Sequence, residues 1–369
     1  MRIPLFAMER MQSTWENLVD YNLSESGVHP MRLEELVEDP SDRAGLLSQE
    51  LVYPQSNGTV ELRERVAAMY AGATADNVEV TNGGSEANFV TMWHLVEPGA
   101  EVVSMVPNYG QTLGLAEAFG GTLKPWPLRL AADGSRWHVD IDDLRRLVTD
   151  RTRLIILCNP NNPTGARIPA SDLDAICAVA ARVGAWVLSD EIYRGAELDG
   201  VETPSVWGRY DRVIITSGLS KAYGLPGLRI GWIVSSPQVV AATWGYHDYT
   251  TIGPGTLSDR LARIALQPAM RAKILARTRR ILQTNLPIIV GWLDAHAERF
   301  SYALPDAGAI VYMRYHDAIN STELVDRLRV EKSVLIVPGD HFGMDGYLRD
   351  GLDRLDHLLR SLPAGARTA

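Results

Sequence analysis

Between residues 78 and 236 short β-branched or apolar runs recur: VEVT (78–81), EVVSMV (101–106), RLIIL (153–157), AWVLS (185–189), RVIITS (212–217) and RIGWIVSS (229–236). Segments of helical period separate them, and this alternation predicts an open α/β fold, a largely parallel sheet flanked by helices. The stretch SDLDAICAVAARVG (171–184) reads as one crossover helix, with Ser171 as N-cap, apolar residues at helical spacing and Gly184 as its close. After TIGPGT (251–256) the texture changes to a long arginine-rich helical stretch (258–300), then short strands and a last amphipathic helix. A chain of 369 residues exceeds the roughly 250–300 residues at which a single core stops growing. We therefore expect a large domain over 41–270, a smaller α/β domain over 271–369, and an N-terminal lid or arm over 1–40 that joins the smaller one. The final PAGARTA (363–369) is expected to fray.

Composition narrows the function classes. With 46% hydrophobic and 22% charged residues and a formal net charge of −9, the chain lacks the basic surplus that phosphate-backbone binding needs, so nucleic acid is not an expected partner. Cys158 and Cys177 are too few for a disulfide framework and no Cys/His set has zinc spacing, which fits a reducing cytoplasm and no metal. The apolar run 4–8 meets Glu9 and Arg10 at once, too short for a secretory leader, and no stretch approaches the roughly 20 apolar residues of a membrane span.

In open α/β sheets ligands bind beyond the carboxyl ends of the strands, so the polar residues that follow each run carry the candidate chemistry. After VEVT, residues 82–87 (NGGSEA) form either a tight turn or a glycine loop whose N–H groups hold a phosphate. After EVVSMV, Tyr109 is either an interfacial aromatic or a surface for a flat ring. CNPNNPTG (158–165) and DEIYRG (190–195) put Asn162, Asp190 and Tyr193 at the same sheet edge. An acid ending a buried strand needs a cationic partner. RVIITS leads to Lys221, one of four lysines in the chain. A lysine at such an edge is costly unless its amine is neutral or bonded, and a neutral amine is what attacks an aldehyde to form a Schiff base.

In combination NPNNPTG, DEIY and SK…GLRIGW resemble the fold-type I pyridoxal phosphate enzymes of the class I/II aminotransferase superfamily, over residues 51–349. The resemblance implies a large domain with a mostly parallel seven-stranded sheet, a smaller α/β domain, and pyridoxal 5'-phosphate as cofactor. It implies that Lys221 bonds the cofactor's aldehyde and moves the substrate Cα proton, and that Asp190 pairs with the protonated pyridine nitrogen. Asn162 and Tyr193 then bond the ring's phenolic oxygen and Tyr109 covers the ring face. Gly84, Ser85 and Arg229 hold the phosphate. Arg349, in GYLRDG, matches the arginine that clamps the substrate α-carboxylate, although Asp350 follows where an apolar residue is usual. Tyr53 matches a tyrosine that reaches the neighbouring subunit's phosphate, so a homodimer with shared sites is implied, with Asp248 and Thr251 also directed across. Gly218 stands where the family often has a phosphate-touching serine, and Ser217 or Ser220 is left to compensate.

The shared pocket does not select the reaction. The segment 8–30 resembles a specialised-metabolism subgroup that includes capreomycidine synthase, guanidino-acid cyclases and enzymes acting on S-linked cysteine. Within it, Gly27 is expected beside the substrate carboxylate. Glu16 either receives a cationic substrate side chain or is a solvated charge, and His29 either acts as an acid/base group or caps the chain before Pro30. The expected function is an aminotransferase-like enzyme of specialised metabolism that activates an amino-acid substrate at Cα. The alternatives are an ordinary housekeeping aminotransferase, a C–S lyase or β-eliminase or an oxidative deaminase acting on a cysteine S-conjugate, and a cyclodehydratase or oxidase of a guanidino amino acid. A non-catalytic regulator on the same fold is set against the retained Lys221 and the lack of a helix-turn-helix extension.

Overall fold

In the computed structural model, which describes residues 2–351, the six runs form six strands of one seven-stranded sheet. In chain order the sheet contains β1 (Val78–Thr81), β2 (Glu101–Val106), β3 (Thr122–Pro127), β4 (Thr152–Cys158), β5 (Trp186–Asp190), β6 (Val213–Gly218) and β7 (Gly231–Val234). Their spatial order is β1-β7-β6-β5-β4-β2-β3. Only β7 runs against its neighbours β1 and β6, and the other pairings are parallel. The sheet is thus mostly parallel, as expected.

Strand period 2 divides the core between the two faces. Val102, Leu154, Ile156, Leu188 and Ile214 pack on one side under the helix α1 (Gly84–Leu95). Val103, Ile155, Leu157, Val187 and Ile215 pack on the other, with the buried residues of α2 (Ala170–Val183). All ten are at most 1% exposed, which is why these runs read as continuously apolar rather than alternating.

Two local expectations are corrected. Ser171 does not cap α2. The helix begins at Ala170 after Pro169, whose carbonyl accepts from both Asp172 and Leu173 at 3.1 Å, so the fixed φ of proline starts the turn. Gly184 does end it, in the left-handed region at φ 70°. The strand β3 (TLKPWP) is absent from the sequence reading because its two prolines read as loop. It is an edge strand in which Thr122 and Leu128 donate to Ala100 and Val106 of the β2 side. Pro125 and Pro127 have the opposite parity, so their missing N–H groups fall on the open edge, where no ladder bond is lost.

Beyond the sheet, α3 (Pro237–His247) precedes the 28-residue α4 (Pro268–Ala295). The expected boundary at residue 270 falls in the first turn of α4. A second, antiparallel sheet follows, built from β8 (Phe300–Tyr302), β9 (Ile310–Tyr315), β10 (Val337–Pro338) and β11 (Tyr347–Gly351) in the order β8-β9-β11-β10. The N-terminal arm reaches this part of the molecule: Tyr21–Asn22 pairs in parallel with Val334–Leu335, and Gly351 N–H donates to Leu23 at 2.8 Å. A Cβ on Gly351 would stand 2.0 Å from the Glu25 carbonyl oxygen, so this close approach requires glycine. The expected last amphipathic helix and the PAGARTA end lie outside the described residues.

Candidate active site

The carboxyl ends of the parallel strands open on a cavity of about 320 Å³. Gly84 and Ser85 after β1, Tyr109 after β2, Asn162 after β4, Asp190 at the end of β5, Tyr193 beyond it and Lys221 after β6 all line it. Because β7 runs in reverse, Arg229, two residues before it, reaches the same edge. Arg349 closes the far wall from β11, and Met8, Glu9 and Gln12 cover the cavity from an N-terminal helix, Ala7–Trp15.

Asp190 is held by two donors, the Ile192 N–H on Oδ1 and the Asn88 amide on Oδ2, both at 3.0 Å. Asn88, one helical turn after Gly84, is fixed in turn by the Thr216 hydroxyl at 2.7 Å. Burial pushes the Asp190 carboxyl up, while these donors and the Lys221 charge pull it back. It makes no ion pair among the described residues. Burial likewise pushes the Lys221 ammonium down, toward the neutral amine.

At the phosphate-like corner three glycines make room. Gly83 has φ 85°, and a Cβ there would fall 2.4 Å from the Arg229 guanidinium. A Cβ on Gly231 would fall 2.3 Å from the Gly83 carbonyl carbon, so backbone abuts backbone at this point. Gly218 cannot carry the family's usual serine without a shift, since its Cβ would meet Ile230 O at 2.7 Å and Ile192 Cδ1 at 3.2 Å. Of the two serines left to compensate, Ser220 lines the cavity, whereas the Ser217 hydroxyl donates to the Glu191 carbonyl.

At the opposite corner Arg349 is 1% exposed. It donates to Asn162 Oδ1 at 3.2 Å and to the Ser24 carbonyl, and its Nε has no partner among the described residues. A buried guanidinium with no carboxylate is an anion receptor by its own electrostatics, and burial lowers its pKa. Tyr109 donates its hydroxyl to Glu9 Oε1 at 2.8 Å and packs edge-on against Phe6, with ring centroids 4.9 Å apart.

Four sequence candidates stand apart from this lining. Glu16 is the C-cap of the N-terminal helix, one turn past Gln12, and the adjacent Trp15 faces away under Arg329, whose guanidinium carbon is 4.0 Å from the ring centroid. His29 is exposed and contributes its carbonyl to Arg277 at 2.8 Å. Tyr53 is 86% exposed. Gly27 packs under the lysine, its Cβ position 3.2 Å from Ser220 O and 3.6 Å from Lys221 Cδ. Conversely Glu9, Gln12 and Asn88, which the sequence does not mark, line the cavity. Glu9 and Gln12 share a helix face with Glu16, so helical spacing carried the signal one turn too far along.

The donor set suits pyridoxal phosphate. Asp190 is a half-buried acid that makes no ion pair among the described residues, and the buried Tyr193 hydroxyl, with Ser26 beside it, makes no hydrogen bond of good geometry among them. A protonated ring nitrogen and a phenolic oxygen supply what each lacks, while the glycine-lined corner and Arg229 suit a phosphate. Among the described residues no group of His, Cys, Asp or Glu could hold a metal ion, and no helix is long and apolar enough to cross a membrane.

Comparison with known proteins points to the same cofactor. The chain matches the family aminotransferase class I and II over residues 19–358. It is 33% identical to capreomycidine synthase of Streptomyces vinaceus over 89% of this chain and 84% of that protein. Among solved structures, a PLP-dependent aminotransferase from Streptococcus suis superposes with a TM-score of 0.88 at 31% identity, covering 98% of this chain and 99% of that one. The PLP-dependent cyclase OrfR superposes with a TM-score of 0.85 at 27% identity, covering 95% and 93%. The chain belongs to the class I and II aminotransferase family and is a pyridoxal phosphate-dependent enzyme of fold type I.

Proposed function

We propose that this enzyme activates an amino acid at Cα and transfers its amino group, as a cytoplasmic homodimer of specialised metabolism. The observation that carries the reading is the joint presence of Lys221, Asp190 and Arg349 in one cavity. When bound, the cofactor supplies an electron sink for the pair left at Cα. Asp190 would hold a proton on the ring nitrogen, and Asn88 would keep the carboxylate turned to it. Tyr193 and Asn162 would bond the ring oxygen, Tyr109 would cover the ring face, and the Gly84 and Ser85 amides with Arg229 would hold the phosphate. Lys221, its ammonium already pushed down by burial, would carry the cofactor and then take the Cα proton on Nζ. Arg349 would receive the α-carboxylate, with Gly27 leaving space beside the lysine. The exposed Tyr53 is assigned to the neighbouring subunit's phosphate. Residues 1–20 would exclude water as a lid.

A second reading, cyclisation of a guanidino amino acid, is favoured by Glu9. This carboxylate sits on the wall formed by the N-terminal helix, with only one oxygen engaged by Tyr109, and can receive a cationic side chain. Similarity to capreomycidine synthase and to a PLP-dependent cyclase supports the same reading. A panel of amino acids, each assayed for keto acid, ammonia, pyruvate, peroxide and cyclised product, tests both. Keto acid from an amino acid is the result expected of transamination, and a cyclised product that keeps its amine favours the second reading. Pyruvate with ammonia, or peroxide, would replace both with elimination or oxidation.

A further inference from the structure

Behind the phosphate-like corner, on the side away from the cavity, lies a buried cluster that the reading above does not use. Glu79 at the centre of β1 and Glu86 in the first turn of α1 are both buried, and between them stands His247, the last residue of α3, which is fully buried. Its Nδ1 is 3.3 Å from Glu79 Oε1 and its Nε2 is 3.2 Å from Glu86 Oε2. Neither contact is a hydrogen bond: Nε2 pairs with the Thr251 hydroxyl at 3.0 Å and Nδ1 has no hydrogen-bond partner among the described residues, so both approaches to the carboxylates are ionic. Two carboxylates this deep in one core need a cation between them or a proton on one of them.

The cluster is connected to the loop. Glu86 Oε2 accepts the Asn82 N–H at 2.6 Å, folding the side chain back over the turn that presents Gly84 and Ser85. Glu86 Oε1 accepts the hydroxyls of Thr250 and Thr251, and the Asn82 amide donates to Thr251 Oγ1 at 2.7 Å and to Gly253 O at 2.9 Å. The orientation of residues 82–85 therefore depends on where Glu86 points, and His247 acts on that by its charge and through Thr251, whose hydroxyl it shares with Glu86.

We infer that His247 is a positioning residue for phosphate: bridging Glu79 and Glu86, it holds the 82–85 loop in the shape that binds the cofactor's phosphate. The inference rests on the reading that this loop and Arg229 are the phosphate site. Charge agrees with the geometry. Burial opposes the imidazolium, but the two carboxylates hold its pKa at about 9. Burial also opposes ionisation of Glu86, yet His247, Thr250 and the Asn82 N–H keep that carboxyl at about 2, while burial pushes Glu79 up. The charged groups facing the ring are Glu79 from β1 and Glu86 from α1. The other groups around them are the hydroxyls of Thr243 on α3, bonded to Glu79, and of Thr250 and Thr251 in the turn after it, and the following Asp248 is exposed. A histidine with a raised pKa contributes fully below its ordinary value of 6.5 and loses its contribution as pH rises through about 9.

The test is binding of pyridoxal phosphate and of pyridoxal, which lacks the phosphate, to the full chain stripped of cofactor. The charge-balanced pair Glu79→Gln/His247→Gln avoids leaving two carboxylates facing each other. It is expected to weaken pyridoxal phosphate by about tenfold while pyridoxal stays within about twofold. Glu86→Gln, tested alone, is expected to do the same, and adding it to the pair to cost little more, because the three groups act as one unit. In the unmutated chain the preference for the phosphorylated ligand should fall as pH passes about 9, and in the pair it should stay flat. Equal losses for both ligands, no loss for either, or a flat preference in the unmutated chain would overturn the inference. Arg229→Gln is the control for the site: it should remove the preference whatever His247 does. If Arg229→Gln leaves the preference intact, the phosphate site is misplaced and the inference goes with it.

Discussion

The two ends of the cavity are built in different ways. Asp190, Asn162, Lys221 and Arg229 come from segments that directly follow or precede strands of one sheet, and the ladder of that sheet sets their spacing. Arg349, Ser24, Glu9 and Gln12 come from the second sheet and from the N-terminal arm, more than 320 residues apart in the chain between Ser24 and Arg349. The first end is a rigid edge whose groups any amino-acid substrate would meet in the same way. The second is assembled from segments far apart in the chain, where a change of substrate can be accommodated by a change of side chain. A family can therefore keep its cofactor chemistry while its substrates diverge.

Substitutions at the two ends should separate accordingly. Lys221→Ala is expected to have the largest effect, lowering turnover by roughly 10⁴-fold or more with the thermal unfolding profile retained, since the group that moves the proton is gone. Steady-state kinetics beside calorimetry check this, and substantial residual turnover would remove Lys221 from its role. Asp190→Asn should slow hydrogen–deuterium exchange at the substrate Cα by roughly 10²- to 10³-fold, more than it weakens cofactor binding. Unchanged exchange would break the equivalence of the rigid edge with the electron-sink end.

At the second end the effects should be smaller and selective. Arg349→Lys replaces a two-pronged donor with a point charge, and we expect kcat/KM to fall by roughly 10²-fold with the absorption of the bound cofactor unaltered. An equal change in cofactor absorption would merge the two ends into one. The smallest effect sharpens the comparison most. For a substrate with a cationic side chain, Glu9→Gln should cost about 1.5–3 kcal/mol of binding, the range for a hydrogen bond to a charged group, whereas Glu16→Gln should leave KM within about twofold. If Glu16→Gln had the larger effect, the N-terminal helix would meet the cavity about two turns further along.

How far each end could be read from sequence follows from the same difference. A strand buried on both faces writes itself as a β-branched run, and the chemistry comes within a few residues of its end, so Asn162, Asp190 and Lys221 were legible from local pattern before any contact was known. The edge strand β3 was hidden because Pro125 and Pro127 oppose a strand reading until one knows that they face its open side. Arg349 was reached only through the family string around it. Glu9 and Gln12 look like the solvated face of a short helix, and nothing local tells which turn of it meets the cavity, so the candidate fell on Glu16. His247 was invisible for a third reason: a lone histidine acquires meaning only when Glu79 and Glu86, 168 and 161 positions earlier, are folded onto its two nitrogens.

The central claim is that the cofactor sits at the rigid edge, on Lys221. The other three lysines have different settings: Lys124 is paired with Glu101 at 2.5 Å, Lys273 with Glu38, and Lys332 ends the helix Ser321–Lys332. Reducing the holoenzyme with borohydride and mapping the labelled peptide is the most direct test. The account predicts the pyridoxyl group on the peptide containing Lys221, and a label on Lys124, Lys273 or Lys332 would contradict it.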